Sequence, residues 1–356
     1  MASESDNFES VVKERRQDKV AEFEEHNKGL VGFIHDMLHK YPFLVPLLVI
    51  IVAIIVFGIL NPNFYRVTTL STILQQVAIV GILGTAQAVV ILTAGIDLSV
   101  GAIMVFITVI MGQFTFRYGI PAELSIVIGL AAGTAMGFIN GFLVARVKLP
   151  PFIVTLGTWQ IILAANFIYS RNETLRSQDI AEQASALHFW GQIFTIGGAR
   201  VTFGVVAFLV LVMIMAYVLS QTAWGRHVYA VGDDKESAQL AGVNTDRVLI
   251  SVYTLAGFLC GIAAWVAIGR FGAISPGAST GVQGNIQSIT AVVIGGISLF
   301  GGRGSIIGMF LGALIVGVFE MGLRMAGADA QWTFLLIGVL IITAVTVDQW
   351  IRKVSA

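Results

Sequence analysis

The sequence predicts an all-α, polytopic membrane protein of about ten transmembrane helices, with discontinuous helices around 95–101 and 296–304. Three observations predict it. Of the 356 residues 56% are hydrophobic and only 12% charged, about half the charge of a water-soluble surface. Ten apolar runs approach the roughly 20 residues that span a hydrocarbon core of about 30 Å. Glycine supplies 39 residues, which in an apolar chain signals close helix packing and broken helices. The 21 basic and 21 acidic residues cancel, so the basic field that nucleic acid needs is missing. Cys260 is the single cysteine, which excludes a disulfide framework and a thiolate metal site.

From the N-terminus, residues 1–27 are charge-rich and poor in aromatics, the composition of a disordered tail. Over 28–41, Leu30, Phe33, Ile34, Met37, Leu38 and Tyr41 recur at three and four residues, the period of an interfacial amphipathic helix. The transmembrane domain then occupies 42–352. No small-residue cleavage pattern follows its first run, so that run is expected to stay as a span. The runs are 43–60, 74–94, 98–116, 124–145, 152–170, 201–220, 248–268, 286–300, 304–323 and 332–350. The eighth would reach only about 22 Å and is expected to be a partial helix. With the N-terminus inside, fourteen of the Lys and Arg residues fall on inner loops and seven on outer ones. That bias puts both termini in the cytoplasm, 221–247 inside and 171–200 outside.

Gly129, Gly133, Gly137 and Gly141 form a bare ridge on the fourth span, and Gly304, Gly308 and Gly312 repeat it on the ninth; both mark helix contact. A sharper signal is a short repeat. Ala88-Val-Val-Ile leads to Gly95-Ile-Asp97-Leu-Ser99-Val-Gly101, and Ala291-Val-Val-Ile leads to Gly296-Ile-Ser298-Leu-Phe-Gly-Gly302. Glycine ends one helix in a left-handed conformation while Asp or Ser caps the next, so each copy predicts a helix break. Asp97 is an ionisable residue between two spans and a functional candidate on that ground. Capping explains it equally, and a proton- or sodium-coupled secondary transporter would use it as the coupling carboxylate.

No Walker A run occurs, so the chain cannot hydrolyse ATP alone. His26, His35, His39, His188 and His227 lack metal-ligand spacing, and no nucleophile–base pair suggests an enzyme. In the loop 221–247, Asp233, Asp234 and Glu236 supply a capping-box spacing, Ala238 and Leu240 an apolar face and Gly242 a helix stop. A helix of about two turns between two spans is suited to docking into another protein's groove.

Three segments carry a resemblance: Leu92-Thr-Ala-Gly-Ile-Asp-Leu-Ser-Val-Gly101, Gly232-Asp-Asp-Lys-Glu-Ser-Ala-Gln-Leu-Ala-Gly-Val-Asn244 followed by Arg247-Val, and Gly295-Gly-Ile-Ser-Leu-Phe-Gly-Gly-Arg-Gly-Ser305. From about 43 to 351 the chain resembles the permease subunits of ribose-type bacterial ABC sugar importers. That family often has two glycines before Ile-Asp, where this chain has Ala94-Gly95. The resemblance implies a multi-pass homodimer in the bacterial inner membrane that imports a monosaccharide such as ribose or fructose. It also implies cytoplasmic ATP-binding cassettes on a separate chain, which would hold the ATP and magnesium, and a periplasmic sugar-binding protein meeting 171–200. Residues 233–242 would be the coupling helix. A neutral sugar is held by amides, hydroxyls and aromatic faces, and those available inside spans include Gln87, Asn140, Trp159, Gln160, Asn166, Trp265 and Gln287.

Overall fold

A computed structural model describes residues 44–355 apart from Arg176, Ser177, Asp179, Ala181 and Gln183; it does not describe the side chains of Ala278, Ser279, Ala330, Val347, Asp348, Trp350 and 351–355. The expected tail 1–27 and the expected interfacial helix 28–41 lie outside the described residues. All contacts below belong to the unit Pro46–Ala356.

Among the described residues ten helices reach 17 residues or more: α1 Leu44–Leu60, α2 Val67–Ile91, α3 Val100–Phe116, α4 Ala122–Ala145, α5 Pro151–Ser170, α7 Phe203–Gln221, α10 Thr245–Phe271, α11 Ala278–Ile294, α12 Ile306–Met325 and α13 Ala330–Ser355. Between them lie the single turn α6 (Ser185–His188) and two loop helices, α8 (Ala223–Asp233) and α9 (Lys235–Leu240). Six of the long helices have the length and hydropathy to cross a membrane by themselves.

Helix α2 is the axis of the bundle. It is apolar on all sides, as a buried helix must be, and every residue from Val77 to Ile91 is buried. Helices α7, α10, α11 and α12 pack around it. The glycine ridge of α4 lies on α10, where Gly133 and Gly137 face the backbone of Gly257 and Gly141 meets Ile250 and Tyr253. The rising number on one helix meets the falling number on the other, so the pair is antiparallel. A Cβ at Gly137 would overlap the carbonyl oxygen of Tyr253, which is why this contact requires bare backbone. On α12, Gly308 meets Gly295 and Gly312 meets Ala291. Gly304 belongs to the loop instead, at φ +124°, because the helix starts two residues later.

The eighth run differs from expectation. Its helix spans Ala278–Ile294, 17 residues, starting eight residues before the apolar run and ending six before its end. The first turns carry Thr280, Gln283, Asn285, Gln287 and Ser288, which lower the hydropathy, yet Asn285, Gln287 and Ser288 are buried. The protein satisfies them: Ser288 donates to Asn285 O at 2.9 Å and the Gln287 amide to Glu320 at 3.2 Å.

The opposite end from the helix breaks carries the only strands among the described residues. β1 (Ile193–Ile196) and β2 (Ala199–Thr202) pair antiparallel with Ile193 opposite Thr202. Gly197 and Gly198, both at positive φ, make the tight turn that matches the twist of a hairpin. Arg117 closes the same end, paired with Glu173 at 2.7 Å and donating to Tyr169 O.

Candidate functional site

The two predicted breaks exist, and both open at the same end of the bundle. After α2, Ala94 N–H donates to Ile91 O at 2.9 Å and Gly95 N–H to Val90 O at 3.2 Å. The left-handed residue here is Ala94, φ +60°, and not the expected Gly95. In the second break Gly296 takes that conformation, φ +81°. A Cβ in the left-handed region costs about 1–2 kcal/mol. We predict that Ala94→Gly stabilises the chain by about 1 kcal/mol, part of the relief being offset by added freedom in the unfolded state. Thermal melting in detergent measures it; a lower melting temperature would contradict the strain.

Residues 95–99 then run without helix back into the bundle. Asp97 is 1% exposed, and its Oδ1 accepts Ser99 N–H at 2.7 Å and Ser99 Oγ–H at 2.6 Å. That is a local turn within the loop. Asp97 was expected to cap α3 directly; the cap position belongs to Ser99. Distant helices hold the rest of the segment. From α2 the Gln87 amide, oriented with its oxygen toward an N–H, pairs with both backbone groups of Asp97 at 2.9 and 3.3 Å. From α4 Asn140 donates to Ser99 Oγ at 2.9 Å, and from α5 Thr155 donates to Ile96 O at 3.1 Å. From α11 Asn285 accepts Gly101 N–H at 2.6 Å and donates to Leu98 O. Asn140 is five residues from the end of α4 at Ala145, so α3 starts about 8 Å inside the bundle. Every polar group of a non-helical strand at such depth needs a partner, and these side chains are the partners.

The second break is tighter. Ser298 N–H donates to Arg303 O and Gly301 N–H to Ser298 O, while Phe300 N–H reaches Ser298 Oγ at 3.3 Å. Ser298 was expected to cap α12; Ser305 does so, accepting Gly308 N–H at 3.0 Å. Gly302 at φ +71° donates its N–H to Leu92 O at 3.0 Å, a direct bond between the two breaks.

The loop 221–247 closes this junction from outside. Thr222 caps α8 by accepting Gly225 N–H at 3.2 Å, and Tyr229 on that helix donates to Gly304 O at 2.9 Å. At its end Gly232 lies on both breaks: a Cβ there would overlap Leu92 O and stand 2.7 Å from Gly302 N. Asp233 closes α8, so the cap of α9 is Asp234, which accepts Glu236 N–H at 2.9 Å and Ser237 N–H at 3.0 Å. The Ser237 N–H and hydroxyl, with Glu236 N–H, hold the Asp234 carboxyl below its ordinary pKa. Glu236 sits in the first turn, where a negative charge suits the helix dipole. Ala238 is buried and Gly242, φ +88°, ends the turn. Leu240 projects outward, 90% exposed.

The seven polar or aromatic residues of the spans separate into three groups. Gln87 and Asn140 hold the first break, as above. Asn166 donates to Pro276 O at 2.9 Å, Trp265 donates to Ala186 O at 2.9 Å and Gln287 binds Glu320, ties within the bundle. Trp159 is half-buried against the core, whereas Gln160 is exposed on α5 beside Ile161. Tyr229, Gly232 and Leu92 were not singled out individually from the sequence; their contacts run to residues far along the chain. Among the described residues no three His, Cys, Asp or Glu side chains converge as metal ligands.

A family profile described as branched-chain amino acid transport system / permease component matches residues 69–345. The chain is 62% identical over 356 residues to the fructose import permease protein FrcC of Rhizobium meliloti, covering 100% of this chain and 98% of that one. It is 32% identical over 304 residues to the ribose import permease protein RbsC of Escherichia coli (strain K12), covering 85% and 92%. To the D-allose transport system permease protein AlsC of the same strain it is 32% identical over 308 residues, covering 86% and 91%. No solved structure matches the chain.

Proposed function

We propose how this protein works from the premise that it belongs to the family of branched-chain amino acid transport system / permease components, which its sequence matches over residues 69–345. It is the non-enzymatic, multi-pass permease subunit of an ABC importer for monosaccharides. Fructose is the sugar to test first, since the relative with 62% identity is by its name a fructose import permease. The reading takes all ten long helices as spans and the end with the breaks as cytoplasmic, supported by the charge bias. Helix α9 is then the coupling helix, seated on an ATP-binding cassette that carries the ATP and magnesium. The outer segment 171–200 faces a periplasmic sugar-binding protein.

One observation carries the mechanism: Gly232, at the base of the coupling helix, touches Leu92 of one break and Gly302 of the other. A push on α9 therefore reaches both discontinuities at once. When the cassettes close on ATP, α8 shifts, the Gly302–Leu92 bond is strained and the starts of α3 and α12 re-pack. The pathway then exchanges its inward opening for an outward one. ATP drives this only by binding one arrangement better than the other. A second copy of the chain supplies the other wall, and it covers Gln160, an amide that hydrocarbon would not tolerate.

The test is purification of the full chain from native membranes in mild detergent, then reconstitution. An ATPase with Walker motifs is expected to come along, and sugar uptake is expected to require ATP. Uphill uptake by the isolated subunit on a cation gradient would instead favour Asp97 as an ion-coupling group.

A further inference from the structure

A groove outside the transport machinery runs along α10. Arg247, Ile250, Ser251, Thr254, Leu255 and Phe258 line it, at intervals of three, one, three, one and three. They form one continuous stripe of a helix face, about 16 Å long. Thr134 of α4 forms the facing wall, and the cavity holds about 440 Å³.

The chemistry of the walls says what the groove does not bind. Thr134, Ser251 and Thr254 each spend their hydroxyl proton on a carbonyl of their own helix, at 2.7 Å in all three cases. What they turn outward is carbon. Along Ile250 to Phe258 a sugar would find no free hydroxyl donor, whereas a hydrocarbon chain meets a nearly continuous apolar trough.

The head of the trough is different. Arg247 stands there, exposed and without an ion-pair partner among the described residues. Beside it Asp246 is already engaged by Arg146 at 3.7 Å, and Lys148 follows the end of α4 in the loop to α5. Arg146, Lys148 and Arg247 thus all lie at or just beyond the ends of the two groove helices, where Asp246 is taken up by Arg146. Trp224 lies half-buried at this same level, its indole N–H donating to Ser251 Oγ at 2.8 Å, as tryptophans do at the boundary between hydrocarbon and headgroups.

An apolar trough of helix length, ending in unpaired positive charge at an interfacial tryptophan, is complementary to one kind of molecule. We propose that this groove binds a single anionic phospholipid, its phosphate on Arg247 and one acyl chain along Ile250 to Phe258. The proposal rests on the membrane-spanning reading above but not on sugar transport. Basic pockets between spanning helices recognise anionic headgroups in this way.

The probe is the full-length permease in phosphatidylcholine nanodiscs doped with a lipid brominated on its acyl chains, either phosphatidylglycerol or phosphatidylcholine. The signal is Trp224 fluorescence, taken as the difference between the protein and its Trp224→Phe variant. Brominated phosphatidylglycerol is expected to reach half-maximal quenching at about fivefold lower mole fraction than the neutral lipid, the preference one arginine confers. Arg247→Gln should remove the preference, and Thr254→Phe, which fills the trough, should remove the quenching. Equal quenching by both lipids would mean an ordinary lipid annulus and overturn the proposal. Absent quenching by either would mean that a second copy or another protein covers the groove, and would overturn it too. ATP-driven sugar uptake, measured separately, reports on the permease reading whichever way the quenching falls.

Discussion

In Leu240→Asp, ATP hydrolysis by the assembled transporter should cease to respond to sugar-loaded binding protein, and uptake should fall with it. Leu240 is 90% exposed at the end of a helix of six residues. It contributes almost nothing to the permease's own core, and exposed substitutions usually shift stability by no more than about 0.5 kcal/mol. Its loss should therefore leave the melting temperature of the isolated permease unchanged. Docked in a cassette, the same side chain would be the apolar anchor of the contact, and burying a carboxylate there should weaken docking by roughly 30-fold or more. Leu240→Met keeps the apolar volume and should retain most of the coupling. Co-purification of the cassette and sugar-stimulated hydrolysis are the two readouts. Normal uptake in the aspartate variant would remove α9 from the coupling role.

The sequence makes some of this architecture legible and hides the rest for identifiable reasons. Helices such as α7, 19 residues of nearly uniform hydrophobicity, declare themselves, because lipid demands apolar length. The glycine ridge of α4 announces a close neighbour but does not say which; its partner, Gly257, is 120 residues further on by the numbering. The start of α11 is misread because the stretch before 286, with Thr280, Gln283 and Asn285, looks like a loop until its partners are known, and the Asn285 bond to Gly101 spans 184 positions. The breaks themselves are visible as Gly-Ile-Asp and Gly-Ile-Ser. Their capping is not, since Asp97 and Ser298 fold back within their loops while Ser99 and Ser305 open the helices. Local chemistry thus locates a discontinuity, and only long-range packing decides which residue does what inside it.

That long-range packing makes Gly232→Ala the second substitution of large expected effect. A methyl group at this position would overlap Leu92 O and press on Gly302 N, both backbone atoms that cannot rotate away. Overpacking of this kind costs about 3 kcal/mol. Lower melting temperature is the first expected result. The second separates a strut from a transmission. If the junction only supports the fold, the fraction of protein that remains folded should transport the usual amount of sugar for each ATP hydrolysed. If the junction carries the motion, the folded fraction should hydrolyse ATP while moving less sugar per cycle, because α8 is wedged away from the bond between Leu92 and Gly302. Gly242→Ala is the control. Unlike the helical Gly232 it has a left-handed backbone, φ +88°, but a Cβ there meets nothing within 4 Å. It should cost about 1–2 kcal/mol through strain alone and leave the ratio of sugar to ATP intact. A ratio unchanged in both variants would mean that the contact of Gly232 with the two breaks transmits nothing.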